Sequence, residues 1–248
     1  MPKPIPVEQY KLGRKPRIPD GRDLLFASYV MPSLPPPPPS LDLSKGLKFG
    51  MLANNTVGDC TCAGMGHALQ VAAHAAGNTF TPTTTAVLAA YYAMTGGEDT
   101  GLDLVTVLKY MQKTGLQGQK IGPYVSVKPT NETHLKQAFN LVKGGYLGVN
   151  LPLSAQKQKI WDVPVGGTKG DGEPGSWGPH CVDPAGYSPD GVLVVTWGKL
   201  IWCTWHFFFT YFDEVRAFIS PLEIGTSGKS PDGFDYMALQ ADLKAVQA

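Results

Sequence analysis

Cys60 is the residue of this chain whose position best suits nucleophilic chemistry. It directly follows Asp59 at the start of a run with helical periodicity. A thiol at a helix N-terminus lies near unpaired N–H groups and the positive end of the helix dipole, and both favour the nucleophilic thiolate. The adjacent Asp59 carboxylate opposes that shift. The alternative is a buried cysteine that acts as a small hydrophobic side chain.

A thiolate also needs a base, and His180 is the best candidate. The histidines are His67, His74, His134, His180 and His206. His67 and His74 lie about two and four turns beyond Cys60 on the same predicted helix, so they cannot reach its sulfur. His134 is predicted on a polar helix surface, and His206 is predicted to pack among aromatic side chains. His180 opens a predicted strand after a Gly-rich loop, so it can face a cleft from an opposite lobe.

The elements that must position these two residues change character near residue 145. Before it, helical periodicity predicts four helices: about Cys60–Ala76, Thr83–Met94, Leu102–Lys113 and Glu132–Lys143. After it, β-branched and aromatic residues predict four strands: Tyr146–Leu151, Cys181–Tyr187, Val192–Trp197 and Trp202–Phe209. The last stretch with helical periodicity predicts a helix over Phe234–Val246. A helical first half and a β second half predict an α+β fold of two lobes.

Composition bounds the class of protein. The chain has 248 residues, of which 43% are hydrophobic and 17% charged, and its net charge is +1. The absence of a charged block gives no support for nucleic acid or an anionic membrane as partner. The start Met1-Pro2-Lys3-Pro4 lacks the apolar core of a secretory signal. We therefore expect a protein of the cytoplasm or of a host-cell interior, without a membrane span.

The four cysteines are expected to be reduced thiols, because this count is low for a disulfide scaffold in a chain of this size. An alternative use of them is a zinc site, with Cys60-x-Cys62 and Cys203-x-x-His206 as the ligands. These spacings match standard structural sites only loosely, so neither a metal nor another cofactor is expected.

The proline run 35–39 must be extended polyproline II. It is interpreted as a stiff connector or a surface segment, with an SH3-type ligand as the alternative. We expect a Pro-rich extension over residues 1–40, a main domain over 41–222, and an extension with a helix over 223–248. The proline run and the aromatic cluster of Trp202, Trp205 and Phe207–Phe209 are candidate contacts for assembly partners, although an ordinary β core also accounts for the cluster.

A series of short motifs runs through residues 40–220. In chain order they are Leu41-Asp42-Leu43, Asn54 to Cys60, Cys60-Thr61-Cys62-Ala63, Asp99-Thr100-Gly101, Lys113-Thr114-Gly115, Gly148-Val149-Asn150-Leu151, Gly178-Pro179-His180-Cys181-Val182, Gly186-Tyr187 and Val195-Thr196-Trp197-Gly198. Each is weak alone, but their order and spacing together resemble the papain-like cysteine peptidases, especially the compact bacterial and viral branches.

The resemblance implies the papain-like two-lobed fold and a site between the lobes. Cys60 would attack the carbonyl carbon of a peptide or protein substrate, with His180 as its partner and later the general acid. Asn54 and the Cys60 N–H would stabilise the oxyanion. Trp197 would shield the histidine, and Gly101 and Gly178 would lie on opposite walls of the substrate cleft.

The chain differs from the family pattern around these residues. Asn54 stands where the family has Gln, and Val195 aligns with the Asn that orients the histidine. Valine forms no side-chain hydrogen bond, and Thr196 is expected to point to the opposite face of the strand. Residues 1–40 leave no room for a classical inhibitory propeptide. The alternative to a peptidase is therefore a papain-fold protein without proteolytic activity that serves as a virion component or a binding module.

Overall fold

The computed structural model describes residues 10–32, 34–143, 145–219 and 234–247. The helices are α1 Cys60–Ala75, α2 Thr84–Thr95, α3 Leu104–Lys113, α4 Glu132–Val142, α5 Trp205–Tyr211 and α6 Tyr236–Gln247. The strands are β1 Leu41–Asp42, β2 Tyr124–Ser126, β3 Tyr146–Leu151, β4 Gly178–Ser188, β5 Gly191–Thr196, β6 Lys199–Thr204 and β7 Phe212–Phe218. This is the α+β class expected from the sequence.

The strands form one antiparallel sheet in the order β2-β7-β3-β4-β5-β6, and β1 pairs with β4. One hydrophobic cluster packs on this sheet and includes residues of α4 and α5. A second cluster surrounds α1 and includes residues of α2 and α3. Helix α4, which the sequence places in the helical half, thus packs with the β half, while α1, α2 and α3 belong to the other cluster.

Helix α1 packs directly on the sheet and is buried along most of its length. Small residues allow this close approach: a Cβ on Gly64 would lie 3.2 Å from the Cys181 sulfur. The Tyr146 hydroxyl of β3 donates a 2.7 Å hydrogen bond to the Thr61 carbonyl in the first turn of α1. These contacts fix the N-terminal end of the helix against the middle of the sheet.

The expected strand Trp202–Phe209 is wrong beyond Thr204, where α5 begins. Thr204 is the N-cap of α5, and its hydroxyl accepts a 3.0 Å hydrogen bond from the Phe207 N–H. A short aromatic run fits a strand or a helix by pattern, and this cap selects the helix. Phe207 and Phe208 lie in the core, whereas Trp202 is 37% exposed.

The N-terminal extension packs against the rest of the chain. The Pro38 carbonyl accepts a 3.0 Å hydrogen bond from the Tyr187 hydroxyl. All four cysteines are free and buried, in agreement with the expected reduced thiols. Within the described ranges, no helix has the length and apolar character that crossing a membrane requires.

Candidate active site

Cys60 is the first residue of α1, as expected, and is 1% exposed. Burial raises the pKa of its thiol to about 12, and the neighbouring Asp59 carboxylate acts in the same direction. The backbone N–H groups of Cys181 and Gly13 and the charge of Arg14 act in the opposite direction. The thiol is therefore protonated in this conformation, because water does not reach it.

Asp59 is the N-cap residue of α1 but makes no capping hydrogen bond through its side chain. It is fully buried, and burial raises the pKa of its carboxyl to about 7. The Asn54 amide acts in the opposite direction. A carboxyl with a pKa near neutrality carries a partial charge at neutral pH, so it opposes the Cys60 thiolate less than an ionised carboxylate would.

His180 lies in β4 and is fully buried. Its Nε2 lies 2.7 Å from the Thr196 hydroxyl oxygen, and its ring stacks on Trp197 with centroids 4.3 Å apart. Burial, aided by the charge of Arg14, lowers the pKa of the imidazole to about 3. Neutral His180 is thus held in a fixed orientation by one hydroxyl and one indole ring.

The expectation that Thr196 points away from the histidine was wrong. Val195 pairs with Asp183 across the sheet and packs with Ala185 and Leu193, on the face away from His180. Side chains alternate along a strand, so Thr196 faces the imidazole. Trp197 follows the last residue of the strand with a left-handed φ of 47°.

Asn54 lies beside the start of α1 and is 2% exposed. Its Nδ2 donates a 3.2 Å hydrogen bond to the Val57 carbonyl. Its own backbone carbonyl accepts a 3.0 Å hydrogen bond from the Lys11 N–H. Its role as an oxyanion donor stays a prediction.

The fold brings Cys60 next to the strand that carries His180, since the thiol lies beside the N–H of the following residue, Cys181. In the part of the chain that the structure describes, no hydrogen bond joins the thiol to the imidazole, and the imidazole Nδ1 has no hydrogen-bond partner. Both groups are neutral here rather than members of an ion pair.

An extended segment, residues 10–15, covers this site. The Lys15 N–H donates to the Leu102 carbonyl at 2.9 Å, and the Leu102 N–H donates to the Gly13 carbonyl at 3.0 Å. The Trp197 Nε1–H donates to the Lys11 carbonyl at 3.1 Å, and Tyr10 stacks on the same indole with centroids 4.5 Å apart. Backbone hydrogen bonds and the Tyr10 ring both hold this segment in place.

The two glycines expected on opposite cleft walls both contact this segment. A Cβ on Gly101 would lie 2.2 Å from the Gly13 carbonyl oxygen, and a Cβ on Gly178 would lie 2.7 Å from Leu12 Cδ1. Gly101 also has a left-handed φ of 71°. Glycine at both positions therefore leaves space for an extended chain in the cleft. The side chain of any larger residue would occupy that space.

Sequence reasoning missed residues 10–15 and Thr196. The segment shows no periodicity, and several of its contacts run through backbone groups that every residue carries, so no local pattern marks it. The sequence signal for Thr196 was its hydroxyl beside the Trp-Gly pair, which was assigned to the wrong face.

The proposed zinc ligands do not come together. The Cys203 thiol donates a 3.3 Å hydrogen bond to the Val192 carbonyl. Across residues 10–32, 34–143, 145–219 and 234–247, no three His, Cys, Asp or Glu side chains are grouped so that they could hold a metal ion.

No protein-family model and no curated protein matches this sequence. Among solved structures, the chain is similar to xylellain, a cysteine protease from Xylella fastidiosa, with a TM-score of 0.66 and 16% identity over 85% of this chain and 96% of that one. It is also similar to the cysteine protease and lectin-like domains of Cwp84 from Clostridium difficile, with a TM-score of 0.58 and 11% identity over 78% of this chain and 54% of that one. A mite allergen structure gives a TM-score of 0.54 at 10% identity over 84% of this chain and 75% of that one. These likenesses show that the chain has the papain-like fold.

Proposed function

From this papain-like fold, we propose that the chain is a cysteine peptidase, a thiol hydrolase of peptide bonds, whose site is closed here by residues 10–15. The observation that carries the proposal is the course of this segment: an extended backbone crosses the cleft with the Gly13 N–H beside the Cys60 thiol. A groove that holds one extended chain over a nucleophile is suited to hold another.

The cleft offers a peptide backbone the partners it needs. Leu102 presents both its N–H and its carbonyl to the segment, and Trp197 presents an indole N–H. Backbone recognition of this kind tolerates different sequences, because every peptide carries the same groups. This favours a polypeptide over a compact small molecule as the substrate.

Departure of the segment would admit water to the thiol and so lessen the burial that raises the pKa of Cys60. With water admitted, the Cys60 proton passes to Nδ1 of His180, which has no hydrogen-bond partner among the described residues. His180 Nε2–H donates to the Thr196 hydroxyl, so that Nδ1 is the basic nitrogen. The resulting helix-start thiolate faces the vacated cleft.

The reaction then follows thiol acyl transfer. The thiolate sulfur bonds to the substrate carbonyl carbon, and the Cys60 N–H and the Asn54 amide stabilise the oxyanion. Imidazolium gives its proton to the leaving amine as the C–N bond breaks, which leaves a thioester. Water, deprotonated by the same imidazole, hydrolyses the thioester and restores the thiol.

Two residues would position His180 without touching the substrate. Thr196 fixes the tautomer through Nε2, which is the task of the third residue in catalytic triads. Trp197 covers one face of the ring and keeps water from the Nε2 hydrogen bond. This arrangement supplies the orienting partner that Val195 cannot.

Reaction with an epoxysuccinyl peptide tests the proposal, because the chain contains its own control. Cys60, Cys62, Cys181 and Cys203 are all buried, so burial does not distinguish them. We expect peptide mapping by mass spectrometry to place the adduct on Cys60, and His180→Ala to abolish it. Equal modification of the four thiols, or none at neutral pH even in Gly13→Ala, whose added Cβ would clash with the Gly58 carbonyl and displace the segment, would support a papain-fold protein that binds without cleaving.

A further inference from the structure

Arg14, within the segment that closes the site, has a side chain with no exposed area. Its Nη1 lies 2.8 Å from Asp213 Oδ1, and its Nη2 donates to Glu214 Oε2 at 3.2 Å. A buried guanidinium without carboxylate partners would be strongly disfavoured. The fold therefore contains a cavity built for a cation, and the chain's own cation fills it.

The cavity fits the guanidinium in shape as well as charge. A Cβ on Gly148 of β3 would lie 2.4 Å from Arg14 Cζ, so the flat group lies against bare backbone. Two adjacent residues of β7 supply the carboxylates, with Asp213 half-exposed and Glu214 buried. A planar group with several donors suits two carboxylate acceptors better than an ammonium does.

Charge balance shows what the cavity would need after the segment leaves. Arg216 bonds Glu214 Oε1 at 3.0 Å and lies 2.8 Å from Asp23, so it stays in place on the far side. Asp213 forms its ion pair within the described residues with Arg14. Without Arg14, Glu214 would keep Arg216, but Asp213 would lose the cation that faces it in this cavity. The vacated cavity would attract a positive charge.

We propose that this cavity is a recognition pocket for an arginine side chain of the substrate. That the bound arginine belongs to a substrate depends on the proposed peptidase function, whereas the pocket itself is inferred from the contacts of Arg14. Its determinants are Glu214, Asp213 and the absence of a side chain at Gly148.

Backbone pairing places a substrate residue at this pocket. Leu102 bonds the two peptide units on either side of Arg14, so Arg14 is the residue between them. An extended substrate that used the same Leu102 groups would present its corresponding side chain to the pocket. That residue is adjacent in sequence to the one that lies over Cys60, so the pocket would select a position close to the bond that is cleaved.

Binding to the full chain carrying Arg14→Ala tests the pocket without any catalysis. The probes are N-acetyl-arginine amide and its neutral isostere N-acetyl-citrulline amide. We expect the arginine probe to raise the melting temperature by about 4 °C at tenfold its dissociation constant, and citrulline to have little effect. The matched control Arg22→Ala removes an exposed arginine and leaves Arg14 in the pocket, so neither probe should act on it.

A second variant keeps the test decisive if Arg14→Ala does not fold. Gly13→Ala should empty the pocket by displacing the segment, because its Cβ would lie 1.7 Å from the Gly58 carbonyl oxygen. Glu214→Gln, added to whichever variant folds, should abolish the difference between the probes. Equal melting shifts for the arginine and citrulline probes in a variant that keeps Glu214 would overturn the proposal.

The link to the substrate is tested on whichever of Arg14→Ala and Gly13→Ala folds with the pocket empty and Glu214 intact, using two epoxysuccinyl peptides that differ in arginine or citrulline at one position. We expect Cys60 to react about 10-fold faster with the arginine peptide, as a charge-assisted hydrogen bond implies. Equal rates with both peptides would refute the pocket and leave the peptidase function standing. No reaction with either would refute the peptidase function, while the melting shifts would still decide the pocket.

Discussion

Gly13 is the position at which the smallest change should open the site. A Cβ there would lie 1.7 Å from the carbonyl oxygen of Gly58 and 2.4 Å from its carbon. Both contacts are with backbone, which cannot rotate away as a side chain can. Gly13→Ala should therefore displace the segment from the cleft while the rest of the domain keeps its packing.

The expected size of the effect follows from the backbone hydrogen bonds that this displacement breaks. The bonds from the Leu102 N–H to Gly13 and from the Lys15 N–H to Leu102 lie on either side of Arg14. Each contributes about 1 kcal/mol, so these two bonds alone weaken closure by about 2 kcal/mol, and release of Arg14 from its carboxylate partners adds to this. Since 1.4 kcal/mol corresponds to a tenfold change, the accessible fraction of Cys60 should rise at least about 30-fold.

The assay is the second-order rate of Cys60 modification by an epoxysuccinyl peptide, followed by mass spectrometry. Gly21→Ala is the matched control, because a Cβ there has nothing within 4 Å. It makes the same glycine-to-alanine change in the same N-terminal region. If Gly13→Ala reacts no faster than Gly21→Ala, residues 10–15 do not limit access to the thiol and the reasoning fails.

Three further outcomes follow from single contacts. Thr196→Val should slow Cys60 modification about 10-fold, because it removes the hydrogen bond to His180. Thr196→Ser should keep the wild-type rate, and equal rates for the two variants would exclude the positioning role. Burial lowers the pKa of His67 to about 4, so about 3 kcal/mol of stability, complete above pH 6.5, should be lost as the pH falls towards 4. Urea denaturation at pH 7.5 and 4.5 should show a smaller loss for His67→Gln than for wild type, and an equal loss would contradict this. Tyr146→Phe should lower the free energy of unfolding by about 1 kcal/mol, because it removes the hydrogen bond to the first turn of α1; an unchanged denaturation midpoint would show that this bond adds nothing.

The sequence determined the parts of the protein that depend on short-range pattern. The helix starting at Cys60, the strand that carries His180, and the glycines at positions 101 and 178 follow from periodicity, strand formers and motif order. Such patterns act over a few residues, so they are readable without the fold. The α+β class followed from the same signals.

Tertiary structure decided what depends on contacts between distant residues. The meeting of Thr196 with His180 depends on the register between β4 and β5, in which Val195 pairs with Asp183. The strand expected over Trp202–Phe209 became partly helical because the Thr204 side chain caps it. Residues 10–15 lie in the cleft through backbone groups, and Arg14 is buried because carboxylates about 200 positions away meet it there. Backbone pairing and long-range charge pairing leave no local pattern, so the sequence located the thiol and the histidine but not the segment that covers them.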